Sequence, residues 1–314
     1  MMPVKMKLVS GNSNIILAKE ISQKLGIPLL DSIVSKFSDG EIRIQINESV
    51  RGDHVFVIQS TNPPADNLME LLLIIDALKR ASAGKITAVI PYYGYARQDK
   101  KDNPRVPISG KLVADLLMAA GTTRLMTLEL HAEQIQGFFN YPVDHLYSAP
   151  IFIDYIKKHF DIANSVIVSP DAGRVNKARS FANKLGGLPI AIIDKRRSKP
   201  NEASIMNVVG NVKGKNVLMV DDIIDTAGTI TKASYALKES GAEEISAIIT
   251  HSILSGNAVE KMKKSSIDRL ITTNSVNIAD EKKIEKIEFL SCAQLFANVI
   301  ERVHSKKSIS VLFD

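Results

Sequence analysis

The 314-residue sequence has one cysteine, Cys292, and no tryptophan. A lone cysteine excludes an internal disulfide and any cysteine-cluster metal site. A reducing compartment is the natural setting for such a chain, although a disulfide-free secreted protein would look the same. No apolar run is longer than Leu71–Ile75, far below the roughly 18 residues that cross a bilayer. The start, Met1-Met2-Pro3-Val4-Lys5, leads into no apolar segment with a small-residue cleavage site. A soluble cytoplasmic protein with no membrane partner is expected. Two phosphate-binding signatures are also missing. There is no G-x-G and no G-x-x-x-x-G-K-[ST], which disfavours an ordinary dehydrogenase or a P-loop kinase.

Composition is that of a globular protein, with 45% hydrophobic and 24% charged residues. Forty Lys and Arg against 34 Asp and Glu leave a formal charge of +6. That excess fits nucleic acid, a membrane surface or small anionic ligands. No helix-turn-helix, zinc finger or aromatic RNA-binding motif accompanies it, so nucleic acid is not expected. At this length two domains of about 150 residues are the prior.

Short β-branched runs alternate with helical patterns. The expected strands are Val55–Gln59, Ile86–Ile90, Leu125–Leu128, Ser165–Val168, Ile190–Ile193, Val217–Val220, Ile245–Thr250 and Leu270–Thr273. Most are continuous apolar runs, the pattern of strands buried on both faces of a parallel sheet. The spacing predicts helices over Asn67–Arg80, Ser109–Ala120 and Thr229–Ser240, with Asn67 and Glu70 forming a capping box. In the second helix Leu112, Val113, Leu116 and Leu117 share the expected core face. A helix near Leu295–Val303 and a last strand at Ile309–Phe313 close the chain. Each half carries strand–helix alternation, so two similar α/β halves are expected, each with a mainly parallel sheet flanked by helices. The break falls near Tyr147–Pro150, giving domains 1–148 and 149–314.

Charged and polar residues collect after the strands: Arg97, Gln98 and Asp99 after one, then Glu129 and His131, Asp171, Asp194–Arg197, and Asp221–Asp222. In open parallel sheets ligands sit beyond the carboxyl ends of strands. The segment Val217–Thr229 delivers two adjacent carboxylates, then a turn of small residues, then a helix. The turn and helix N-terminus suit a phosphate, whereas the acids repel one placed directly on them. A sugar phosphate reconciles both, its vicinal ribose hydroxyls on the acids and its phosphate at Thr226–Thr229. The plain alternative is a capped helix with solvated acids.

Further stretches carry a family resemblance. Phe37-Ser38-Asp39-Gly40-Glu41, Asn67–Leu72, Tyr95–Lys101, Leu130–Phe139, Ser169–Gly173 and Asp221–Thr229 together resemble ribose-phosphate diphosphokinases. The resemblance spans nearly the whole chain and implies two phosphoribosyltransferase-like domains. It also implies transfer of the β,γ-diphosphate of Mg-ATP to the C1 hydroxyl of ribose 5-phosphate, with release of AMP. On this resemblance Phe37, Asp39, Glu41, Arg97 and Gln98 bind ATP, and His131 and Asp171 hold magnesium. Lys195 and Arg197 are catalytic, and Arg197 also contacts ribose 5-phosphate. Asp221 and Asp222 take the ribose hydroxyls, and Asp225, Thr226, Ala227, Gly228 and Thr229 take the phosphate. Ser49, Arg51, Arg80, Ser82, Ser308 and Ser310 resemble an effector site for inorganic phosphate and ADP in a homohexamer.

Each residue also has a plainer reading: Phe37 in a core, His131 as a structural histidine, and Lys195 and Arg197 on a solvated basic face. Three departures from the family pattern stand out, Glu129, Asn140 and Arg174, the last where a second glycine is frequent. The Asp221–Thr229 loop alone would also suit a phosphoribosyltransferase, and a non-catalytic homologue of the same fold is the other alternative.

Overall fold

A computed structural model describes residues 4–196 and 205–313. The chain forms two compact units. The first holds the chain through Tyr147, together with Ser275–Asn277 and the segment from Ser291 onward; the second holds Ser148–Asn274 and Ile278–Leu290.

The first unit contains β1 (Met6–Ser10), α1 (Ile15–Leu25), β2 (Ser32–Lys36), β3 (Ile42–Ile46), β4 (His54–Ile58), α2 (Asp66–Arg80), β5 (Lys85–Ile90), α3 (Ser109–Ala120), β6 (Arg124–Leu128) and β7 (Val143–Leu146). Its sheet runs β1-β4-β5-β6-β7, all parallel, and β2–β3 is a separate antiparallel hairpin. The strands are buried apolar runs, and alternate residues of β4 and β5 (Val55, Val57, Ile86, Ala88, Ile90) share one core with Leu71, Ile74, Ile75 and Leu78 of α2.

Two helix expectations are corrected. No capping box forms on α2: Ala65 occupies the cap position, and the buried Glu70 carboxylate accepts from Asn12 and Gln59 instead. On α3 the buried stripe is Gly110, Val113, Ala114 and Leu117, the i, i+3, i+4, i+7 pattern, leaving Leu112 and Leu116 exposed.

The second unit contains α4 (Ala149–His159), β8 (Ser165–Ser169), α5 (Val175–Lys184), β9 (Ile190–Arg196), β10 (Ile205–Val209), β11 (Asn216–Ile224), α6 (Gly228–Glu239), β12 (Ile245–Ser252), α7 (Ala258–Lys264), β13 (Arg269–Thr273) and β14 (Ile287–Leu290). The sheet order is β10-β9-β8-β11-β12-β13-β14, with only β10 antiparallel to its neighbour. Ile167, Leu218, Val220, Ile248 and Ile271 form one core with α4 and α5.

The last helix, α8 (Ala293–His304), buries Cys292 at its start and belongs to the first unit. The expected extents 1–148 and 149–314 differ from these units at Ser148, at Ser275–Asn277 and from Ser291 onward. The expected strand at Ile309–Phe313 is also corrected: Ser310–Leu312 is a 3-10 turn, and the Phe313 ring meets Tyr147 at 5.9 Å.

His54 is buried in the first unit, stacked on Phe56 at 4.2 Å, its Nε2 2.8 Å from Thr87 Oγ1. Burial, then the nearby His304, Lys85 and Arg124, push its pKa down to about 4. The unfolded chain binds a proton there near pH 6.5 and the folded one does not. The stability contribution is complete above that value and is lost as pH falls through about 4. Urea unfolding at pH 7 and pH 5 is expected to show a smaller acid loss for His54→Gln than for wild type. Equal losses would reject this origin.

Candidate functional site

In the second unit the strand order reverses between β8 and β11, since β9 lies on one side of β8 and β11 on the other. Open parallel sheets form their crevice at such a reversal. The register shows how. β11 pairs with β8 only through Met219↔Val168 but with β12 through Ile224↔Ser252. Asp221 and Asp222 therefore lie inside a strand that runs past Val220, where the sequence reading ended it. Beyond Met219 that strand has lost its β8 neighbour.

Asp222 continues the Leu218–Val220 face and is 3% exposed. Asp221 is half-buried, and its Oδ1 accepts the Asp222 N–H at 2.8 Å. Burial first, then the neighbouring Asp222 carboxylate, raise the Asp221 pKa well above the usual carboxylate range. Arg174 opposes that shift. Its Nη2 is 2.9 Å from Asp222 Oδ1 and its Nε 3.6 Å from Asp221 Oδ1. Beside it, Lys177 Nζ donates to the Asp221 carbonyl at 3.2 Å.

Asp171 follows β8. Its Oδ1 accepts the Arg174 N–H at 3.1 Å, and Ser169 Oγ donates to its carbonyl at 2.7 Å, which fixes the short turn Ala172–Arg174.

After β11, Asp225 accepts from Ser255 Oγ, Lys261 Nζ donates to Thr226 O at 3.0 Å, and Ala227 sits in the left-handed region at φ 59°. That conformation costs an alanine about 1–2 kcal/mol. It turns the chain so that Gly228 opens α6 with no side-chain cap, leaving the first-turn N–H groups for an anion. Thr226 and Thr229 are exposed beside them.

The expected ATP residues lie in the first unit. Phe37, Asp39 and Glu41 form the turn of the β2–β3 hairpin: Phe37 N–H donates to Glu41 O at 2.8 Å, and Glu41 N–H to Asp39 Oδ1 at 3.0 Å. Phe37 is 52% exposed, with the Arg43 guanidinium 5.8 Å from its ring, so it is not a core residue.

Arg97 and Gln98 follow β5. Gly94 N–H donates to Thr61 Oγ1 at 2.7 Å, and a Cβ on Gly94 would come within 2.1 Å of Thr61 O. Only glycine allows that approach. Tyr95, at φ 64°, then turns the chain outward to the exposed Arg97 and Gln98. Asp99 accepts from Gln134 at 2.9 Å, joining this segment to the one that carries His131.

His131 is half-buried. The turn before it, with Glu129 at φ 46°, is held by His145, whose Nε2 accepts the Leu130 N–H at 2.9 Å. That contact places the neutral ring's proton on Nδ1. Neither His145 nor the contacts of Arg174 were legible in the sequence, because both act across the sheet on residues distant in the chain.

Of the expected effector residues, Arg51 Nη1 donates to Ser82 Oγ at 3.2 Å, and Ser308 and Ser310 share a 2.8 Å hydroxyl contact. Arg80 is engaged by Asp76 at 2.6 Å, and Ser49 is exposed. Lys195 has its backbone in β9, paired with Met206. Arg197 lies outside the described residues.

These features define an α/β protein with a parallel sheet whose carboxyl edge carries acids, cations and an open helix N-terminus. Residues 6–121 match the N-terminal domain of ribose phosphate pyrophosphokinase, and residues 195–314 match the phosphoribosyl synthetase-associated domain. A ribose-phosphate pyrophosphokinase of Bacillus caldolyticus is 57% identical over 311 residues, covering 99% of this chain and 98% of that protein. One from Chlorobaculum tepidum is 54% identical over 314 residues, covering 100% of this chain and 96% of that protein. The crystal structure of phosphoribosylpyrophosphate synthetase from Mycobacterium smegmatis superposes with a TM-score of 0.91 at 42% identity, covering 96% of this chain and 99% of that one. The chain belongs to the ribose-phosphate pyrophosphokinase family. It is an enzyme of the transferase class, and the phosphoribosyltransferase alternative is not favoured, since these relatives match from end to end.

Proposed function

We propose that the chain moves the β,γ-diphosphate of ATP to the C1 hydroxyl of ribose 5-phosphate, giving 5-phosphoribosyl 1-diphosphate and AMP. One observation supports this most: the Asp221–Asp222 pair standing past the end of β8, followed within one turn by the uncapped start of α6. Carboxylates there accept from the 2- and 3-hydroxyls, while the Asp225–Thr229 turn offers N–H groups and hydroxyls to the 5-phosphate. Phe37 supplies an exposed ring for adenine, and Arg97 a bidentate cation for the triphosphate. Lys195 and Arg197 act on the charge that builds up during transfer.

Magnesium fits the donors only in part. The Asp171 carboxylate is a hard oxygen ligand oriented by the Arg174 N–H. His131 brings a nitrogen, an unusual partner for this ion. Among the described residues no group of three or more His, Cys, Asp or Glu could hold a metal ion. When bound, magnesium neutralises phosphate charge, and Asp171 and His131 are the residues that would hold it.

Phosphate and ADP as effectors at Arg51, Ser82, Ser308 and Ser310, together with Ser49 and Arg80, a homohexamer, and a cytoplasmic location complete the reading. Among the described residues no helix is long and apolar enough to cross a membrane. The test is AMP release from ATP, with and without ribose 5-phosphate, inorganic phosphate and ADP. AMP is expected only with the sugar phosphate, more of it with phosphate and less with ADP. AMP formed equally without the sugar would reject the reaction, and indifference to phosphate and ADP would reject the effectors.

A further inference from the structure

The acid pair of β11 is answered by a residue that belongs to neither the metal nor the phosphate assignment. Arg174 ends the turn that Asp171 caps and opens α5. Its N–H is bound to Asp171 Oδ1, so the start of its side chain is fixed by the β8 edge. Its guanidinium then spans the gap that β8 leaves beside β11, meeting Asp222 at 2.9 Å and Asp221 at 3.6 Å. The three side chains are 22%, 4% and 20% exposed. Lys177, in the first turn of α5, donates to the Asp221 carbonyl.

We propose that Arg174 is a positioning residue for the sugar: it holds the inner Asp222 carboxylate and thereby sets Asp221 toward the ribose hydroxyls. This rests on the assignment of the acid pair to ribose. Two adjacent, largely buried carboxylates cannot keep one orientation without a cation, because each repels the other and little water reaches them. The planar guanidinium fixes direction as well as charge, which an ammonium does less well. The contact is tighter to Asp222 than to Asp221, so the inner acid is the more firmly held of the two. The more exposed Asp221 presents the more accessible acceptor, and Arg174 joins the Asp171 turn to it through a single residue.

The experiment measures the KM for ribose 5-phosphate and for ATP in wild type, Arg174→Ala, Arg174→Lys and Asp221→Ala. Arg174→Ala is expected to raise the sugar-phosphate KM by about tenfold or more, the weight of a hydrogen bond to a charged group, with the ATP KM near wild type. Arg174→Lys should fall in between. A purely structural role would instead shift both KM values together, and that result, or an unchanged sugar-phosphate KM, overturns the proposal. Should Arg174→Ala be insoluble, Arg174→Gln decides by the same split. If Asp221→Ala itself spares the sugar-phosphate KM, the ribose assignment fails and this inference with it. If Asp221→Ala raises it and Arg174→Ala does not, this inference alone fails.

Discussion

Lys195→Ala is expected to lower kcat by about 10²–10³-fold, the usual cost of losing one preorganised group that meets developing charge, while the KM for ATP stays near wild type. The placement argues for this. β9 pairs with β8 only through Ile192↔Ser169. Lys195 comes three residues later, where the strand is carried outward by its antiparallel partner β10. Its backbone thus stands past the carboxyl edge of β8, the edge that also bears Asp171. In diphosphoryl transfer the charge spreads over equatorial oxygens as the bond to the leaving group loosens, so a cation engaged at that moment lowers the barrier without tightening ground-state binding. Steady-state kinetics at saturating ATP and ribose 5-phosphate give the answer. An unchanged kcat sinks the catalytic role, and a loss confined to the KM for ATP reassigns Lys195 to nucleotide binding.

Much of the fold was legible because buried parallel strands read as unbroken apolar runs: β4, β5, β8, β11, β12 and β13 all lie where such runs predict them. What was not legible depends on neighbours. Asp221 and Asp222 look like the end of a strand, yet β11 continues to Ile224 because β12 stays alongside it to Ser252. Leu112 and Leu116 are as apolar as Leu117, and only the direction from which the sheet approaches α3 separates the exposed pair from the buried one. The alternating apolar residues at Ile309–Phe313 suit a strand, but among the described residues no strand pairs with them; Phe313 meets an aromatic ring instead. The candidate site follows the same rule. Phe37, Arg97, His131 and the acid pair announce themselves by residue type after a strand. Arg174 is 47 positions before Asp221 in sequence, and what unites them is the reversal of strand order between β8 and β11.

Asp221→Ala should raise the KM for ribose 5-phosphate by about 10- to 100-fold, the range for hydrogen bonds to a charged group, and the KM for ATP far less. Of the two acids, Asp221 is the one to change. Asp222 is nearly inaccessible and tied to Arg174, so removing it takes the nearer carboxylate from a half-buried guanidinium and damages the fold along with the site. Asp221 is more exposed and more loosely held, so its loss removes an acceptor with less structural penalty. It also relieves repulsion within the pair, so the folded protein should lose little stability. Asp221→Asn keeps one acceptor oxygen and should fall between alanine and wild type. A sugar hydroxyl needs that oxygen whether or not ATP is bound. The defect should therefore persist at saturating ATP and be overcome by excess ribose 5-phosphate. Equal increases in both KM values, or a loss of kcat that excess sugar phosphate does not rescue, would place Asp221 on the transferring diphosphate rather than on the ribose.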